Sequence, residues 1–234
     1  MQIVTFINLV WIFIPLGVVY YIYFQWSGNK TIIPYALIRM VLQLIAIGYI
    51  LVYIFETKNF ILIMIILTIM LLVASYISLN PLTTKSKKFY IISFISIATG
   101  SIVALVFVIL GVLQLELWYE PRFIIPIGGM IFANSMNSVS IAAERFESEF
   151  AKNQNKLLSR NIAYKSSLIP NINSLFAVGL VTIPGMMTGQ VLSGVDPIIA
   201  VNYQIMVMCM IILSGGLSSA IYLQIIFKGK NETT

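Results

Sequence analysis

Residues 143–165 read AERFESEFAKNQNKLLSRNIAYK and open the longest polar stretch of the chain, from Glu144 to about Pro170. Glu144, Arg145, Glu147, Glu149, Lys152, Lys156, Arg160 and Lys165 are eight of its 22 charged residues, 14 basic plus 8 acidic. A segment so charged does not lie in lipid. Arg145 and Glu149, Lys152 and Lys156, and Lys156 and Arg160 are spaced i, i+4, while Phe146, Phe150, Leu157 and Leu158 recur near helical period. The spacing predicts an amphipathic helix whose apolar stripe needs a partner.

Around that stretch the chain is greasy. Its 234 residues are 59% hydrophobic and 9% charged, against roughly 25% charged in soluble domains, and mean hydropathy is +0.97. It is therefore expected to be an all-α, polytopic membrane protein, one transmembrane domain over residues 1–234 with a cytoplasmic segment near 144–170. The net charge of +6 reports orientation before it reports nucleic acid, because Lys and Arg accumulate in cytoplasmic loops. One cysteine, Cys209, excludes an intrachain disulfide framework, and the lack of histidine removes the commonest transition-metal ligand. The first ten residues carry no Lys or Arg, so the first apolar run is expected to be retained as a span.

Seven apolar stretches are expected to cross the bilayer, at about 3–24, 37–55, 60–79, 89–114, 123–143, 172–192 and 198–227. Turn chemistry separates them at Ser27-Gly28-Asn29, Asn80-Pro81, Glu120-Pro121 and Ser193 to Pro197, the last with Asp196 as N-cap and Pro197 opening the next helix. Alternate connections hold Lys30, Arg39, Lys85, Lys87, Lys88, Arg145, Lys152, Lys156, Arg160, Lys165, Lys228 and Lys230, twelve in all, against Lys58 and Arg122. That asymmetry puts the twelve and the C-terminus in the cytoplasm and the N-terminus outside, with Glu56, Glu116, Glu120 and Asp196 in the outer connections.

The fifth stretch is rich in small residues, and Asn134, Ser135, Asn137 and Ser138 admit two readings, close helix packing or a translocation path. In the sixth, Pro184-Gly185 predicts a kink or break near Thr182 to Gly185, either static or a hinge, with Thr182, Thr188 and Gln190 available to the freed backbone groups. Arg39 and Gln43, four apart at the start of the second stretch, suit an interface anchor, an ion pair with an acid such as Glu144, or a path. Met186, Met187, Met206, Met208, Met210 and Cys209 suit either packing or a soft-metal thioether path. GNKT at Gly28–Thr31 lacks the glycine directly before the lysine and the Gly-rich loop of a Walker A site, so any ATP is bound by another chain. Without histidine no Ser/His/Asp set exists, which disfavours a membrane enzyme.

The stretches IPIGGMIFANSMNSVSIAAERFESEF (Ile125–Phe150) and LIPNINSLFAVGLVTIPGMMTGQVLSGVDPIIAVNYQIMVM (Leu168–Met208) resemble the FetB-type iron-export ABC permeases, a family that also includes plant aluminium-tolerance proteins. The resemblance implies a permease homodimer paired with two copies of an ATP-binding subunit that holds ATP and Mg2+, this chain binding no cofactor. It implies that Glu144, Arg145, Phe146, Glu147, Glu149 and Phe150 form a coupling helix entering a groove on the ATPase. Arg39, Gln43, Asn134, Ser135, Asn137, Ser138 and Gln190 are then path candidates, and Gly128, Gly129, Pro184 and Gly185 hinge candidates. The cargo implied is iron or another metal, or alternatively a chelated metal or a nucleotide sugar. No metal ligands emerge, because the acids lie mostly at the two faces and hard cations want oxygen. A competing class is a channel, a scaffold or a seven-span receptor that needs no ATPase. Homodimerisation is expected, with the small-residue face of the fifth stretch as first candidate interface.

Overall fold

The computed structural model describes residues 6–28, 30–57, 59–83 and 85–229. Asn29, Lys58 and Lys230, which enter the turn and charge arguments, lie outside the described residues, as does the side chain of Glu56. The fold is all-helical: among the described residues no strand forms, and six helices are long and apolar enough to cross a membrane. The chain divides into two units, Met1–Thr57 and Lys58–Thr234.

The first unit is a helical pair, α1 (Phe6–Ser27) and α2 (Ile32–Thr57). Gly28 ends α1 in the left-handed region at φ +69°, where glycine carries no Cβ penalty. The Tyr20 hydroxyl donates to the Lys30 carbonyl at 3.2 Å, and the Lys30 ammonium sits 4.8 Å from the Phe24 ring centroid, closing the turn. Pro34 is accepted in the first turn of α2, where its missing N–H would have had no helical partner. The second helix therefore begins at Ile32 rather than 37, and Arg39 and Gln43 lie inside it rather than at its start.

The second unit contains α3 (Phe60–Ile77), α4 (Lys87–Val106), a π-helical continuation (Phe107–Val112), α5 (Pro121–Asn153), α6 (Lys156–Ala177), α7 (Gly185–Leu192) and α8 (Pro197–Gly229). Local signals set most boundaries. Asn59 Oδ1 accepts the Ile61 amide at 2.9 Å to start α3, Pro121 opens α5, and Asp196 Oδ1 accepts the Ile198 amide at 2.8 Å to start α8, as its N-cap reading requires.

Two of the expected boundaries are corrected. The charged stretch is not one helix from Glu144 to Arg160. α5 runs on through it to Asn153, the chain turns at Gln154 with φ +52°, and Asn155 Oδ1 caps α6 by accepting the Leu158 amide at 3.0 Å. The flanking asparagines hold the turn around Gln154 by replacing helical bonds with local ones: Asn153 Oδ1 accepts the Asn155 amide at 2.9 Å and the Ser159 hydroxyl at 3.1 Å. The expected sixth span, 172–192, is likewise the end of α6, an irregular segment and the short α7. Gly179 takes φ +84°, Pro184 supplies no amide, and Val178, Val181, Thr182 and Ile183 are β-branched, so a continuous helix has little to sustain it there.

Packing in the second unit uses two chemistries. Where α4 ends and α5 and α8 begin, Ala104, Val108, Ile109, Ile127, Ile131, Met206, Val207 and Met210 form a dry apolar cluster. Elsewhere small residues let backbones approach and serines bond across. Ser78 and Ser93 lie 2.6 Å apart between the end of α3 and α4, and Ser101 and Ser135 lie 3.2 Å apart between α4 and α5. Gly100 of α4 leaves no room for a Cβ against Ser218 of α8. Gly128 and Gly129 sit in the continuous α5 against Leu67 and Met70 of α3.

Candidate functional site at the helix break

The site is built on α8 as a rail. Arg160 near the start of α6 donates to Gln224 at 3.1 Å and its guanidinium stacks 4.7 Å from the Phe227 ring, both at the end of α8. Further along α6, Tyr164 and Leu168 approach Gly216, and Asn171 approaches Gly215. The irregular segment and Met187 of α7 then line a groove with Val201, Gln204, Ile205, Met208 and Cys209. α6, the break and α7 together thus run antiparallel to α8 from its last turns to its first, and the break falls beside Val201 to Ile211 in the first half of α8, a helix long and apolar enough to span a membrane.

Beside the break is a notch of about 270 Å3, lined by Asn134 of α5, Asn171 and Ser174 of α6, Thr182 of the break, and Met208 and Ile211 of α8. Asn171 is buried and donates to the Ser138 hydroxyl at 3.3 Å. Asn134 and Ser174 bond only along their own helices, to Met130 and Pro170 carbonyls at 3.2 and 2.9 Å. The donors are neutral, and among the described residues no group of three or more Cys, Asp or Glu side chains gathers to hold a metal ion. Neutral oxygens suit weak, transient contacts of the kind that permit passage.

Helical period sorts the four fifth-helix path candidates. Ser135 and Ser138 are buried and bonded to Ser101 and Asn171, so they pack helices; Asn134 reaches the notch; Asn137 is exposed. Gln190 lies on α7, and its Oε1 and that of Gln204 on α8 are buried without a hydrogen-bond partner among the described residues. Thr188 covers the Pro184 carbonyl at 3.1 Å, as expected of a residue beside a break. Arg39, half-buried, and Gln43, exposed, stand on α2 in the first unit. Met206 and Met210 belong to the apolar cluster and Met186 packs on it, whereas Met187, Met208 and Cys209 line the groove. Asn171 and Ser174 carry no motif in the sequence that marks them as site residues. The i, i+3 pair Asn171 and Ser174, just after Pro170, was the available signal.

The charged end is an α5–α6 hairpin. Thr83, in the α3–α4 loop, donates its amide at 3.4 Å and its hydroxyl to the Glu147 carboxylate. Glu149 pairs with Arg145 at 3.0 Å and Lys152 at 3.8 Å. Phe146 is only 4% exposed and stacks on Phe150 with ring centroids 6.0 Å apart, so it belongs to the chain's own core rather than to a stripe open to another protein. Glu144, residues 151–155, Leu157 and Leu158 lie at the surface, and Leu157 and Leu158 are its large apolar side chains. Lys85, Lys87, Lys88, Arg145, Lys152, Lys156, Arg160 and Lys228 collect at this end, while Arg122 stands at the other with Glu116, Glu120 and Asp196.

A family model described as "Uncharacterised protein family (UPF0014)" matches residues 4–229. The chain is 34% identical over 205 residues to the probable iron export permease protein FetB of Escherichia coli, covering 78% of this chain and 75% of that one. It is 34% identical over 209 residues to the UPF0014 membrane protein slr1647 of Synechocystis, covering 83% and 77%, and 29% identical over 201 residues to Protein ALUMINUM SENSITIVE 3 of Arabidopsis thaliana, covering 79% and 72%. No solved structure matches. A family match along nearly the whole length, on a bundle of membrane-spanning helices, makes this chain a member of the UPF0014 family of membrane proteins.

Proposed function

We propose that the chain is the permease subunit of an ATP-driven exporter of a metal ion, with iron as the first candidate, and that a separate ATP-binding subunit docks on the α5–α6 hairpin. The observation that carries the reading is the broken helix beside a polar notch, since irregular backbone at membrane depth survives only inside protein or beside water. Similarity to a protein named a probable iron export permease supports the cargo. The basic end would face the cytoplasm, and ATP with Mg2+ would reside on the partner.

The hairpin transmits force through ties to its neighbours. The Ser159 hydroxyl of α6 donates to Asn153 Oδ1 of α5 at 3.1 Å, and Glu147 ties α5 to the α3–α4 loop through Thr83. A partner pressing on Leu157 and Leu158 displaces the start of α6, and α6 leads directly to the break. The neutral lining of the notch favours cargo that brings its own ligands over a bare cation.

Inside-out vesicles containing the chain and its ATP-binding subunit test this. ATP-dependent accumulation of radioactive iron, supplied free or as citrate complex, is expected, with loss when the ATP-binding subunit is omitted. Iron flux that ignores ATP and the second subunit would establish a channel instead.

A further inference from the structure

Arg160 is a charge in neutral company. It donates to Gln224 Oε1 at 3.1 Å and to Asn161 Oδ1 at 3.5 Å, and its guanidinium lies over the Phe227 ring. Among the described residues no carboxylate pairs with it: Glu149 holds Arg145 and Lys152, and Glu147 holds Thr83. The side chain is half-buried in a cleft of about 260 Å3 between α6 and α8, lined by Arg160, Asn161, Tyr164, Ala220, Leu223 and Gln224. No acid is among them. Asn161 and Gln224 accept from the guanidinium through oxygen, which leaves each carboxamide NH2 to donate. A guanidinium, two amides and a phenol suit the oxygens of an anion. Lys156 precedes Arg160 by four residues on α6, and Lys228 follows Gln224 by four on α8, so helical period adds two ammonium groups toward the same end of the bundle.

The outer face of α6 narrows the choice of anion. Asn161, Lys165, Ile169, Ile172 and Phe176 are all exposed and recur at helical spacing, so they form one stripe along the helix. Its first two positions are polar and its last three apolar, and the polar end adjoins the cleft. A free phosphate would use the polar end alone. An amphiphile with an anionic head and hydrocarbon chains uses the whole stripe. Position along α8 agrees, because its span of 32 residues from Pro197 to Lys228 is about 48 Å long against about 30 Å of hydrocarbon. Its final turns, which carry Gln224 and Lys228, therefore reach the headgroup layer, and basic pockets between spanning helices are places where acidic headgroups bind.

We propose that the α6–α8 cleft binds the headgroup phosphate of an acidic phospholipid, with Arg160 as its cation and Ile169, Ile172 and Phe176 carrying an acyl chain. Arg160 and Gln224 already tie the start of α6 to the end of α8, so an occupied cleft fastens the two helices beside the α5–α6 hairpin. The inference requires only that the chain lies in a membrane and does not depend on ATP-driven transport or on the cargo.

Native mass spectrometry of the purified full chain in detergent, titrated with dioleoyl-phosphatidylglycerol or dioleoyl-phosphatidylcholine, reads binding directly. The first lipid should bind several-fold tighter than the second, which has the same chains and a phosphate but no net charge. Arg160→Gln and Lys165→Gln should each weaken phosphatidylglycerol binding about fivefold, the worth of one basic residue at an anionic lipid surface, and leave phosphatidylcholine binding unchanged. Lys165 is exposed, so its variant decides the matter even where Arg160→Gln, which also loses the Gln224 bond, folds poorly. Lys88→Gln removes an exposed charge from α4 at the same end and should change nothing. Four results overturn the proposal: equal affinity for the two lipids; an undiminished preference in both Arg160→Gln and Lys165→Gln; an equal loss in Lys88→Gln, which marks diffuse surface charge; or displacement of phosphatidylglycerol by millimolar inorganic phosphate, which marks a free-anion site.

Discussion

Asn171 of α6 donates to the Ser138 hydroxyl of α5 at 3.3 Å, and Gly215 of α8 lies so close that an added Cβ would stand 2.5 Å from Ser138 Oγ and 2.8 Å from Asn171 Nδ2. Three helices thus meet where one lacks a side chain. Gly215→Ala should destabilise the protein by about 1–3 kcal/mol through overpacking. Gly216→Ala, whose nearest neighbours stand at 3.7 and 3.8 Å, should stay within about 0.5 kcal/mol. Thermal unfolding of the two variants in detergent, side by side, checks the contrast.

The notch and the packing seam should separate experimentally. Ser138→Ala removes an interhelical bond and should cost about 0.6–1.7 kcal/mol. Asn134→Ala and Ser174→Ala remove only bonds along their own helices, so they should leave the unfolding temperature nearly unchanged while lowering vesicle transport several-fold. Unchanged transport in both notch variants would remove the notch from the pathway.

The two hydrophobic layers of the hairpin predict opposite phenotypes. Phe146→Ala empties a core position and should cost about 3–5 kcal/mol, seen as poor yield and early unfolding. Leu157→Ala with Leu158→Ala, at 51% and 47% exposure, should keep the unfolding temperature and lose stimulation of the partner's ATPase activity. Pull-down of the ATP-binding subunit by each variant distinguishes lost docking from lost folding.

Thr83→Val keeps the shape of the α3–α4 loop and deletes the hydroxyl bond to Glu147. A loss of about 0.5–1.5 kcal/mol is expected, more if the carboxylate is left undersatisfied. Faster cleavage within residues 78–86 under limited proteolysis is the local readout.

Gly179 has open space around it and φ +84°, so Gly179→Ala meets no neighbour and still opposes the backbone. A cost of about 1–2 kcal/mol is expected from the left-handed conformation alone. Gly189→Ala, also in open space but within α7, should be neutral or slightly stabilising, as measured by thermal unfolding.

Much of this architecture was written locally. Pro121, Asp196 and Pro197 start helices by bonds and ring geometry confined to a few residues, so their effect was legible without neighbours. Hydropathy alone marked the membrane class, because no soluble fold accommodates so little charge. Pro184-Gly185 announced a break beforehand. Its extent back to Val178 depended on Gly179 and the β-branched run acting together.

The fate of the charged stretch from Glu144 needed the tertiary structure. Its i, i+4 periodicity is equally compatible with one free helix and with two ends of a hairpin, and only the left-handed turn at Gln154 decides between them. Periodicity also placed Phe146 on an apolar face without saying whose core that face enters; the packing of α5 in its own bundle assigns it to this chain. The same holds for Asn134, Ser135, Asn137 and Ser138. The sequence determined that four polar residues occur within five positions of a membrane helix. Which of them bond to neighbouring helices and which opens on the notch was decided by the rotation of α5 against α4, α6 and α8, a relation among distant segments that no local spacing contains.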